Sequence, residues 1–445
     1  MFGEQENLKD KKAKIFDKNR KSFFESREKL RWDNFKQLPP DEMLKTYREE
    51  VFPLLGEISS ALKNSICLIS KASLLNTAVH TLDKIDFSDG NDIKGDIYEY
   101  MLNKLAISGQ NGQFRTPRHI IDMITKLVNP RFDDIICDPA CGSGGFLCGA
   151  YRYILENNTS ENFKKISPVF GDLLKDEHRV NLDNNVIFGS EFDPTMYKIG
   201  LMNLILHNIQ PKNIKLRDSL SKDAYEEDKY TLVLANPPFT GSLDESDVDI
   251  HLTCMVKTKK TELLFMVKFL KMLKIGGRAG VIIPTGILST DSKAYKTLRQ
   301  KLIEENQLEA VISMPSGVFK PYAGVATAVL LFKKGGQTQK TWFYEMKNDG
   351  FTLDDKRTPI EENDIPDIIA KYKTKEESLK SFSVTLEDLR ENEYNLLPSH
   401  YKKIEYVAPT FEYTPQEYIQ LMIETEKKSL ALLKKLQKQL GGYDV

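Results

Sequence analysis

Cysteine is scarce in this chain, and its pattern excludes two common kinds of site. The 445 residues contain five cysteines, an odd number, and no two of them stand in the C-x-x-C spacing of paired metal ligands. The sequence therefore predicts neither a disulfide framework nor a zinc site, and we expect no metal. Free thiols in this pattern are typical of a protein of the reduced cytoplasm.

An excess of positive charge is also absent. The chain has 63 Lys and Arg against 64 Asp and Glu, which leaves a formal net charge of −1. A protein that binds duplex nucleic acid alone usually carries a net basic surface for phosphate neutralisation. Any contact with nucleic acid is therefore expected to be local or shared with a partner chain.

Three signals that would assign other classes of function are missing. No apolar run approaches the ~20 residues that a membrane-spanning helix needs, and no charged-then-apolar leader opens the chain, so we expect no membrane association. No GxxxxGK[ST] phosphate loop occurs, which argues against an ATP-driven motor. The chain is nevertheless long enough to bury a complete α/β core and one or two smaller helical parts.

The order of apolar patterns divides the chain into four parts. Residues 1–108 are rich in Lys, Glu and Leu at helical spacing and predict a helical N-terminal domain. In residues 109–346 short apolar strands alternate with amphipathic helices, which indicates a parallel sheet covered on both faces. Residues 347–410 are interpreted as an irregular, charged extension, and residues 411–445 as a C-terminal helix.

The central part contains seven predicted strands, at residues 134–138, 186–191, 214–217, 231–235, 279–283, 308–313 and 326–332. The last two are joined by a stretch with proline and glycine but no helix pattern, so we expect them to pair antiparallel. One more strand, at 341–346, is predicted to close the core. Helices are predicted at 118–127, 145–157, 194–208 and 261–275, the last of which is expected to stop at Gly276-Gly277.

The C-terminal helix begins at Thr414-Pro415-Gln416-Glu417, a capping box with proline at the first helical position. Its apolar residues follow a 3-4 heptad spacing, which suits packing against another helix, either of a partner chain or of the N-terminal domain. They are Ile419, Met422, Leu433, Leu436 and Leu440.

A glycine turn, Asp138-Pro139-Ala140-Cys141-Gly142-Ser143-Gly144-Gly145-Phe146, follows the first strand. Such a turn lets backbone approach a cofactor closely, and ligands of open α/β sheets lie beyond the carboxyl ends of the strands. Three acids stand at such ends. Asp138 can hold the ammonium of a methionine moiety, Glu191 can accept from both hydroxyls of a ribose, and Asp218 can accept from an adenine amino group. Together they predict an S-adenosyl donor, although each acid alone can also be a helix N-cap or a surface carboxylate.

A loop before the first strand completes the predicted donor site. Thr116-Pro117 looks like a helix N-cap followed by a first-turn proline. By itself this is only a cap. Its place ahead of the glycine turn lets the loop fold over the methionine end of the donor, with Gln113, Phe114 and Thr116 as contacts.

The tetrad Asn236-Pro237-Pro238-Phe239 directly follows the apolar run 231–235. The Asn236 side-chain oxygen and the Pro237 carbonyl can accept from the two N–H groups of an exocyclic amine and favour the tetrahedral form whose lone pair attacks. The two prolines hold these acceptors in place before the reaction, and Phe239 offers a ring on which a base can stack. A base must leave a duplex to reach such a pocket. The tetrad therefore predicts methylation of an exocyclic amine.

Four segments resemble the methylation subunit of type I restriction-modification systems, a family of DNA adenine-N6 methyltransferases. They are residues 113–120 (QFRTPRHI), 138–146 (DPACGSGGF), 236–244 (NPPFTGSLD) and 322–333 (YAGVATAVLLFK). The resemblance implies the α/β fold class, with a Rossmann-like seven-stranded core that depends on S-adenosylmethionine, a helical N-terminal domain and a C-terminal helix.

The resemblance also implies roles for the candidate residues. Asn236 and Pro237 would hold the amine, Pro238 would stiffen the turn, and Phe239 would stack on the base. The donor contacts that it implies are Thr116, Asp138, Gly142, Glu191 and Asp218. The further donor contacts predicted beside them are Gln113, Phe114, Ala140, Ser143, Gly144 and Phe192. Such subunits act in pairs around a specificity subunit on double-stranded DNA, with a motor-nuclease subunit added for cleavage, so these are the expected partners.

The sequence therefore predicts a cytoplasmic subunit that transfers a methyl group from S-adenosylmethionine to N6 of a flipped-out adenine in DNA. The parts that flank the core contain no α/β module that could read bases, so specificity is expected from a partner. Two alternatives stay open. One is methylation of a protein glutamine or of RNA, which shares the tetrad; the other is a non-catalytic scaffold that retains the donor pocket.

Overall fold

The structure is a computed structural model, which describes residues 28–58, 62–63, 66–85, 93–107, 115–164, 171–244, 246–321, 324–402 and 414–440. The chain forms two compact units, Met1–Tyr401 and Lys402–Val445, and each is described by itself. None of the described helices is long and apolar enough to cross a membrane.

Helices form the described N-terminal part and alternate with the strands that follow. In chain order they are α1 (Trp32–Phe35), α2 (Pro40–Thr46), α3 (Phe52–Ile58), α4 (Ala72–Leu82), α5 (Ile93–Ile107), α6 (Arg118–Val128), α7 (Gly145–Asn157), α8 (Glu161–Lys164), α9 (Asp176–Asn181), α10 (Pro194–Leu206), α11 (Ile250–Met255), α12 (Thr261–Met272), α13 (Gly286–Ser289), α14 (Lys293–Glu304), α15 (Ile365–Thr374), α16 (Leu386–Glu391) and, in the second unit, α17 (Pro415–Leu440). Shorter 3-10 turns lie at Glu28–Leu30, Lys222–Ala224 and Pro398–His400, and π-helical turns at Tyr47–Val51 and Leu182–Val186.

Eleven strands are present among the described residues. They are β1 (Ile136–Asp138), β2 (Ile187–Glu191), β3 (Ile214–Leu216), β4 (Tyr230–Ala235), β5 (Leu273–Pro284), β6 (Asn306–Met314), β7 (Thr327–Lys334), β8 (Lys340–Glu345), β9 (Asp349–Phe351), β10 (Pro359–Asn363) and β11 (Ser381–Thr385). All seven strands predicted for the core, and the eighth that was expected to close it, are found.

Nine of these strands form one sheet in the order β11-β8-β6-β7-β5-β4-β1-β2-β3. Strand β1 pairs in parallel with both β2 and β4, whereas β7 is antiparallel to both β5 and β6. The predicted antiparallel pairing of the last two core strands is therefore confirmed, as is the Rossmann-like α/β class. The strand order reverses at β1, and ligands of open sheets bind beyond the carboxyl ends at such a point.

The central strands β1 and β4 are buried on both faces. Successive side chains of a strand point to opposite faces. Ile136, Leu232 and Leu234 accordingly belong to one buried cluster, and Cys137 and Val233 to the other. This double burial explains why β1 and β4 appear in the sequence as continuous apolar runs. Because the two strands are parallel, the polar residues that follow them lie at the same edge of the sheet.

The prediction of an irregular extension after residue 346 is wrong for residues 347–402. Strands β9 and β10 form an antiparallel hairpin, α15 follows it, and β11 pairs antiparallel with β8. These strands have only three to five residues and keep many side chains partly exposed, so they carry no apolar alternation. The segment that follows β11 is held by contacts with the core. For example, the buried Arg299 donates from Nε to the Tyr394 carbonyl at 2.8 Å. The predicted domain boundaries at 108, 346 and 410 stay predictions.

The predicted helix 261–275 ends early, at Met272, and its glycines lie inside strand β5. Gly276 has φ of +81°, and a Cβ on Gly277 would lie 2.9 Å from the Lys274 carbonyl oxygen. The register against β4 shifts here, between Tyr230 and Leu232. The glycines therefore permit an irregularity in a strand and do not terminate a helix.

A partly buried ion pair lies at the edge of the sheet opposite the carboxyl ends. Arg278 donates from Nη1 and Nη2 to the two Asp134 oxygens at 2.9 and 2.7 Å, and from Nε to the Val128 carbonyl at 2.7 Å. Burial raises the pKa of Asp134, but the hydrogen bonds and charge of Arg278 outweigh it and hold the pKa below its ordinary value.

Removal of this cation should destabilise the fold. Arg278→Ala leaves the buried Asp134 carboxylate without its counter-charge, so we expect the free energy of unfolding to fall by about 3 kcal/mol. Denaturant unfolding at pH 7 measures the change. Lys301→Ala, which breaks an exposed pair with Glu305, is the matched control and should cost less than about 0.5 kcal/mol. Equal losses for the two variants would contradict the structural role given to Arg278.

Candidate active site

The carboxyl ends of β1 to β4 open onto one cavity of about 350 Å³. Glu191 and Asp218 line it, together with all four residues of the Asn236–Phe239 tetrad. A smaller pocket of about 30 Å³ is lined by Thr116, Asp138 and Ser143, and both pockets share Ala140, Gly142 and Asn236 as lining residues. The fold thus brings the glycine turn, the strand-end acids and the tetrad to one place.

Asp138 is the most deeply buried acid of the site. Its side chain is 2% exposed, and its Oδ1 accepts from the Ala140 N–H at 3.0 Å. Burial raises the pKa of Asp138 to about 8; the Ala140 hydrogen bond opposes this rise and the charge of Glu191 adds to it. Near neutral pH the carboxyl is therefore mostly protonated, and a cation bound beside it would favour its ionised form.

Glu191 holds the glycine turn in place. Its Oε2 accepts from the Gly142 N–H and its Oε1 from the Asp193 N–H, both at 2.8 Å. Each carboxylate oxygen can accept a second hydrogen bond, so Glu191 can still receive hydroxyl donors from the cavity. Gly142 has φ of +51°, and no atom lies within 4 Å of the position that its Cβ would take. Gly144 is also left-handed, at the N-cap of α7.

The wall beyond β2 and β3 combines predicted and unpredicted residues. Phe192 is 72% exposed and lines the cavity, and Asp218 accepts from the Leu220 N–H at 2.9 Å. Arg217 and Met196 line it as well. The guanidinium of Arg217 is fixed by the Ser190 hydroxyl at 3.0 Å and the Glu226 carboxylate at 2.7 Å. No local sequence signal identifies these two residues, because Arg217 reaches the cavity through the pairing of β2 with β3 and Met196 through the placement of helix α10.

Thr116 contacts the tetrad directly. Its Oγ1 accepts from Asn236 Nδ2 at 2.9 Å, although the two residues are 120 positions apart, and Thr116 is 9% exposed. The predicted contacts Gln113 and Phe114 lie outside the described residues.

Asn236 presents a buried acceptor without a partner. It follows the last residue of β4, Ala235, and its Oδ1 accepts no hydrogen bond among the described residues. Buried polar atoms are nearly always hydrogen-bonded in proteins, so this oxygen suits an N–H donor that enters the cavity. Pro237 is buried and Pro238 is exposed at the same turn.

Phe239 is packed rather than free. The ring is 8% exposed and meets Phe319 edge to face, with 5.8 Å between the ring centroids and 80° between the ring planes. Phe265 of α12 lines the same cavity. A planar ligand can therefore meet a ring whose orientation is already fixed, which lowers the entropy cost of stacking. Sequence reasoning found Phe239 but neither of the other two rings.

The residues of the two pockets fit an S-adenosyl donor. The glycine turn leaves space beside Gly142, and the buried carboxyl of Asp138 suits an ammonium. Glu191 and Asp218 present further carboxylate oxygens beside the same cavity.

The N-6 DNA methylase family matches residues 89–408 of this chain, which is more than half of its length. The chain belongs to the N-6 DNA methylase family. It is similar to the methylase subunits of two type I restriction enzymes of Escherichia coli. One, EcoEI, is 26% identical over 92% of this chain and 84% of its own length. The other, EcoKI, is 29% identical over 75% of this chain and 65% of its own length.

Solved structures support the fold of this N-6 DNA methylase. A chain from a study of complex assembly in a type I restriction-modification system is 24% identical, with a TM-score of 0.68 over 96% of this chain and 91% of its own. A type I methyltransferase subunit from Streptococcus thermophilus is 21% identical, with a TM-score of 0.64 over 83% of this chain and 79% of its own. The resemblance to type I methylation subunits is confirmed, as is the expectation of an S-adenosylmethionine-dependent DNA adenine methyltransferase.

Proposed function

We propose that this N-6 DNA methylase transfers a methyl group from S-adenosylmethionine to N6 of an adenine that has been flipped out of DNA, as the modification subunit of a type I restriction-modification system. The observation that carries the proposal is the buried Oδ1 of Asn236, which lacks a partner among the described residues and lines the cavity that also holds the strand-end acids.

The tetrad activates the acceptor amine. The lone pair of an adenine amino group is delocalised into the ring, so the amine is a poor nucleophile. Asn236 Oδ1 and the Pro237 carbonyl accept hydrogen bonds from the two N–H groups of the amine. They thereby stabilise the tetrahedral form, in which the lone pair is free. These acceptors are held before the reaction, which is the condition under which electrostatic stabilisation is most effective.

The strand-end acids hold the donor. Asp138 binds the ammonium, Glu191 the ribose hydroxyls and Asp218 the adenine amino group, while Ala140, Gly142, Ser143, Gly144 and Phe192 enclose the rest. The bound sulfonium supplies an electrophilic methyl group, so neither a covalent enzyme intermediate nor a metal is required. The S–CH3 bond would break as the N–CH3 bond forms, the donor would leave as a neutral thioether, and the methylated nitrogen would release one of its protons to water.

The target base must leave the duplex to be methylated. The tetrad lines a cavity at the rim of the sheet, and an adenine stacked in DNA cannot insert its amino group there. Flipping costs a few kcal/mol. Stacking on Phe239, at roughly 1–3 kcal/mol for such a contact, offsets most of this cost.

Sequence specificity is proposed to come from a separate specificity subunit, with a second copy of this chain completing the modification complex on double-stranded DNA. The relatives are named as methylase subunits of type I enzymes, which supports a cytoplasmic assembly that a motor-nuclease subunit can join. Helix α17 offers a contact for such a partner, because its Ile419, Met422, Leu433 and Leu436 are each more than half exposed.

Methyl transfer with and without the partner tests the proposal. With labelled S-adenosylmethionine and adenine-containing duplex, we expect N6-methyladenine to form only when a specificity chain is co-expressed, because the sequence predicts no base-reading module in the parts that flank the core. Chromatography of the digested DNA identifies the product, and a fully methylated duplex is the control. Transfer to protein or RNA without the partner would favour the first alternative, and donor binding without any transfer would favour the scaffold.

A further inference from the structure

We propose that Thr116 is a positioning residue that orients the side-chain amide of Asn236 for the acceptor amine. The proposal rests on the function given above and adds a residue to its machinery. Its basis is one contact: Asn236 Nδ2 donates to Thr116 Oγ1 at 2.9 Å, while Oδ1 of the same amide is buried and has no partner among the described residues.

The direction of the amide decides whether Asn236 can act. The terminal torsion of asparagine is soft and roughly two-fold, so a free amide could present either its oxygen or its NH2 group to the cavity. If the NH2 group faced the cavity, its N–H groups would point at the N–H groups of the acceptor amine, and no hydrogen bond could form between them. A hydroxyl can accept or donate, but only the observed arrangement, in which Thr116 Oγ1 accepts from Nδ2, leaves the oxygen for the acceptor amine.

Thr116 is well placed for this task because its own segment is fixed on both sides. The preceding Arg115 donates from Nη1 to the Glu99 carbonyl at 2.7 Å and pairs through Nη2 with the Glu99 carboxylate at 3.2 Å. The following helix α6 is held by His119, whose Nε2 lies 2.9 Å from Asp349 Oδ2. Helix α5 and the β9–β10 hairpin thus both support the residue that orients Asn236.

A positioning role for Thr116 and a contact of Thr116 with S-adenosylmethionine predict different changes in the donor Kd and in the rate of transfer. If Thr116 only touches the methionine end of the donor, its loss raises the donor Kd and leaves the rate at saturating donor unchanged. If it orients Asn236, its loss lowers the rate of transfer and leaves the donor Kd unchanged. One hydrogen bond to a neutral group corresponds to a change of about fivefold to tenfold.

The test compares Thr116→Val with Thr116→Ser in the complex with the co-expressed specificity chain. Valine keeps the shape but removes the hydroxyl, so we expect the single-turnover rate to fall about tenfold, with an unchanged donor Kd by calorimetry. Serine keeps the hydroxyl and should restore the rate. An unchanged rate for valine, or a raised donor Kd with a normal saturating rate, would overturn the proposal. Should the valine variant fail to fold, Thr116→Ala carries the same comparison.

A double-variant cycle separates this inference from the proposed function. In an Asn236→Ala background, Thr116→Val should lower the residual rate no further, because the amide that it orients is gone. If the rate losses of Thr116→Val and Asn236→Ala were fully additive, the positioning role of Thr116 would be overturned, while the proposed function would stand. Undiminished transfer by Asn236→Ala itself would instead contradict the proposed function, whatever Thr116→Val does.

Discussion

Asn236→Ala should lower the rate of methyl transfer by about 10³-fold while donor binding stays nearly intact. The substitution removes a preorganised acceptor that acts on the amine as it becomes tetrahedral, and loss of one such group typically costs about 10²- to 10³-fold in rate. Donor binding is proposed to depend on the acids at the ends of β1 to β3, which this change leaves in place. Single-turnover transfer of a labelled methyl group measures the rate, and calorimetry measures the donor Kd.

An asparagine at the opposite edge of the sheet provides the matched control. Asn185 is exposed, lies two residues before the start of β2 and donates to Asn181 Oδ1 at 3.2 Å. Asn185→Ala should therefore leave both transfer and donor binding unchanged. Substantial transfer by Asn236→Ala would show that the amide does not activate the amine, and a parallel loss of donor binding would show that its role lies in holding the donor.

Much of the core and both motifs were predictable because their signals are local. Strands β1 and β4 are buried on both faces and therefore appear as apolar runs, and the glycine turn and the tetrad follow them immediately. Parallel pairing then brings the residues after these strands to one edge of the sheet. Sequence order alone was enough to place Asp138, Glu191 and Asn236 around two pockets that share Asn236 as a lining residue.

The features that escaped prediction depend on contacts between distant segments. Arg217 reaches the cavity wall through the pairing of β3 with β2, and Phe319 reaches Phe239 from a loop 80 residues later in the sequence. The bond between Thr116 and Asn236 is of the same kind. Residues 347–402 were misread for a related reason, since their short strands are ordered by pairing with β8 and by packing rather than by an apolar pattern of their own.

Asp138→Asn should weaken donor binding by about 10²-fold, a loss typical of removing one partner of a buried charge pair. The amide keeps the shape of the carboxyl and can still accept from the Ala140 N–H, but it cannot neutralise an ammonium. Calorimetric titration with S-adenosylmethionine measures the change. Asp133→Asn, at an exposed acid before β1, is the control and should bind normally. Unchanged binding by Asp138→Asn would exclude this carboxyl as the ammonium contact.

Donor affinity should also depend on pH through the same group. Burial raises the pKa of Asp138 to about 8, so below that pH the protein must release a proton before the carboxylate can pair with the ammonium. Affinity is therefore expected to rise by up to about tenfold per pH unit from pH 6 toward about 8 and to fall above that pH, where the α-ammonium of the donor, whose ordinary pKa is about 8, loses its proton. The Asp138→Asn variant should show no such rise. A flat profile in the unsubstituted protein would mean that the carboxyl is already ionised without the donor.

The substitution that impairs binding is expected to stabilise the fold. The ordinary pKa of an aspartate is 3.8, whereas burial raises that of Asp138 to about 8, so between these values the folded state holds a proton that the unfolded state has lost. Asp138 therefore destabilises the fold progressively as pH rises through this window. Asp138→Asn removes that titration, and its gain in Tm over the unsubstituted protein should widen from about pH 4 to about 8 and stay constant above. A variant that is less stable at pH 8 would show that Asp138 already has a cationic partner in the absence of donor, which would remove the reason for assigning it to the ammonium.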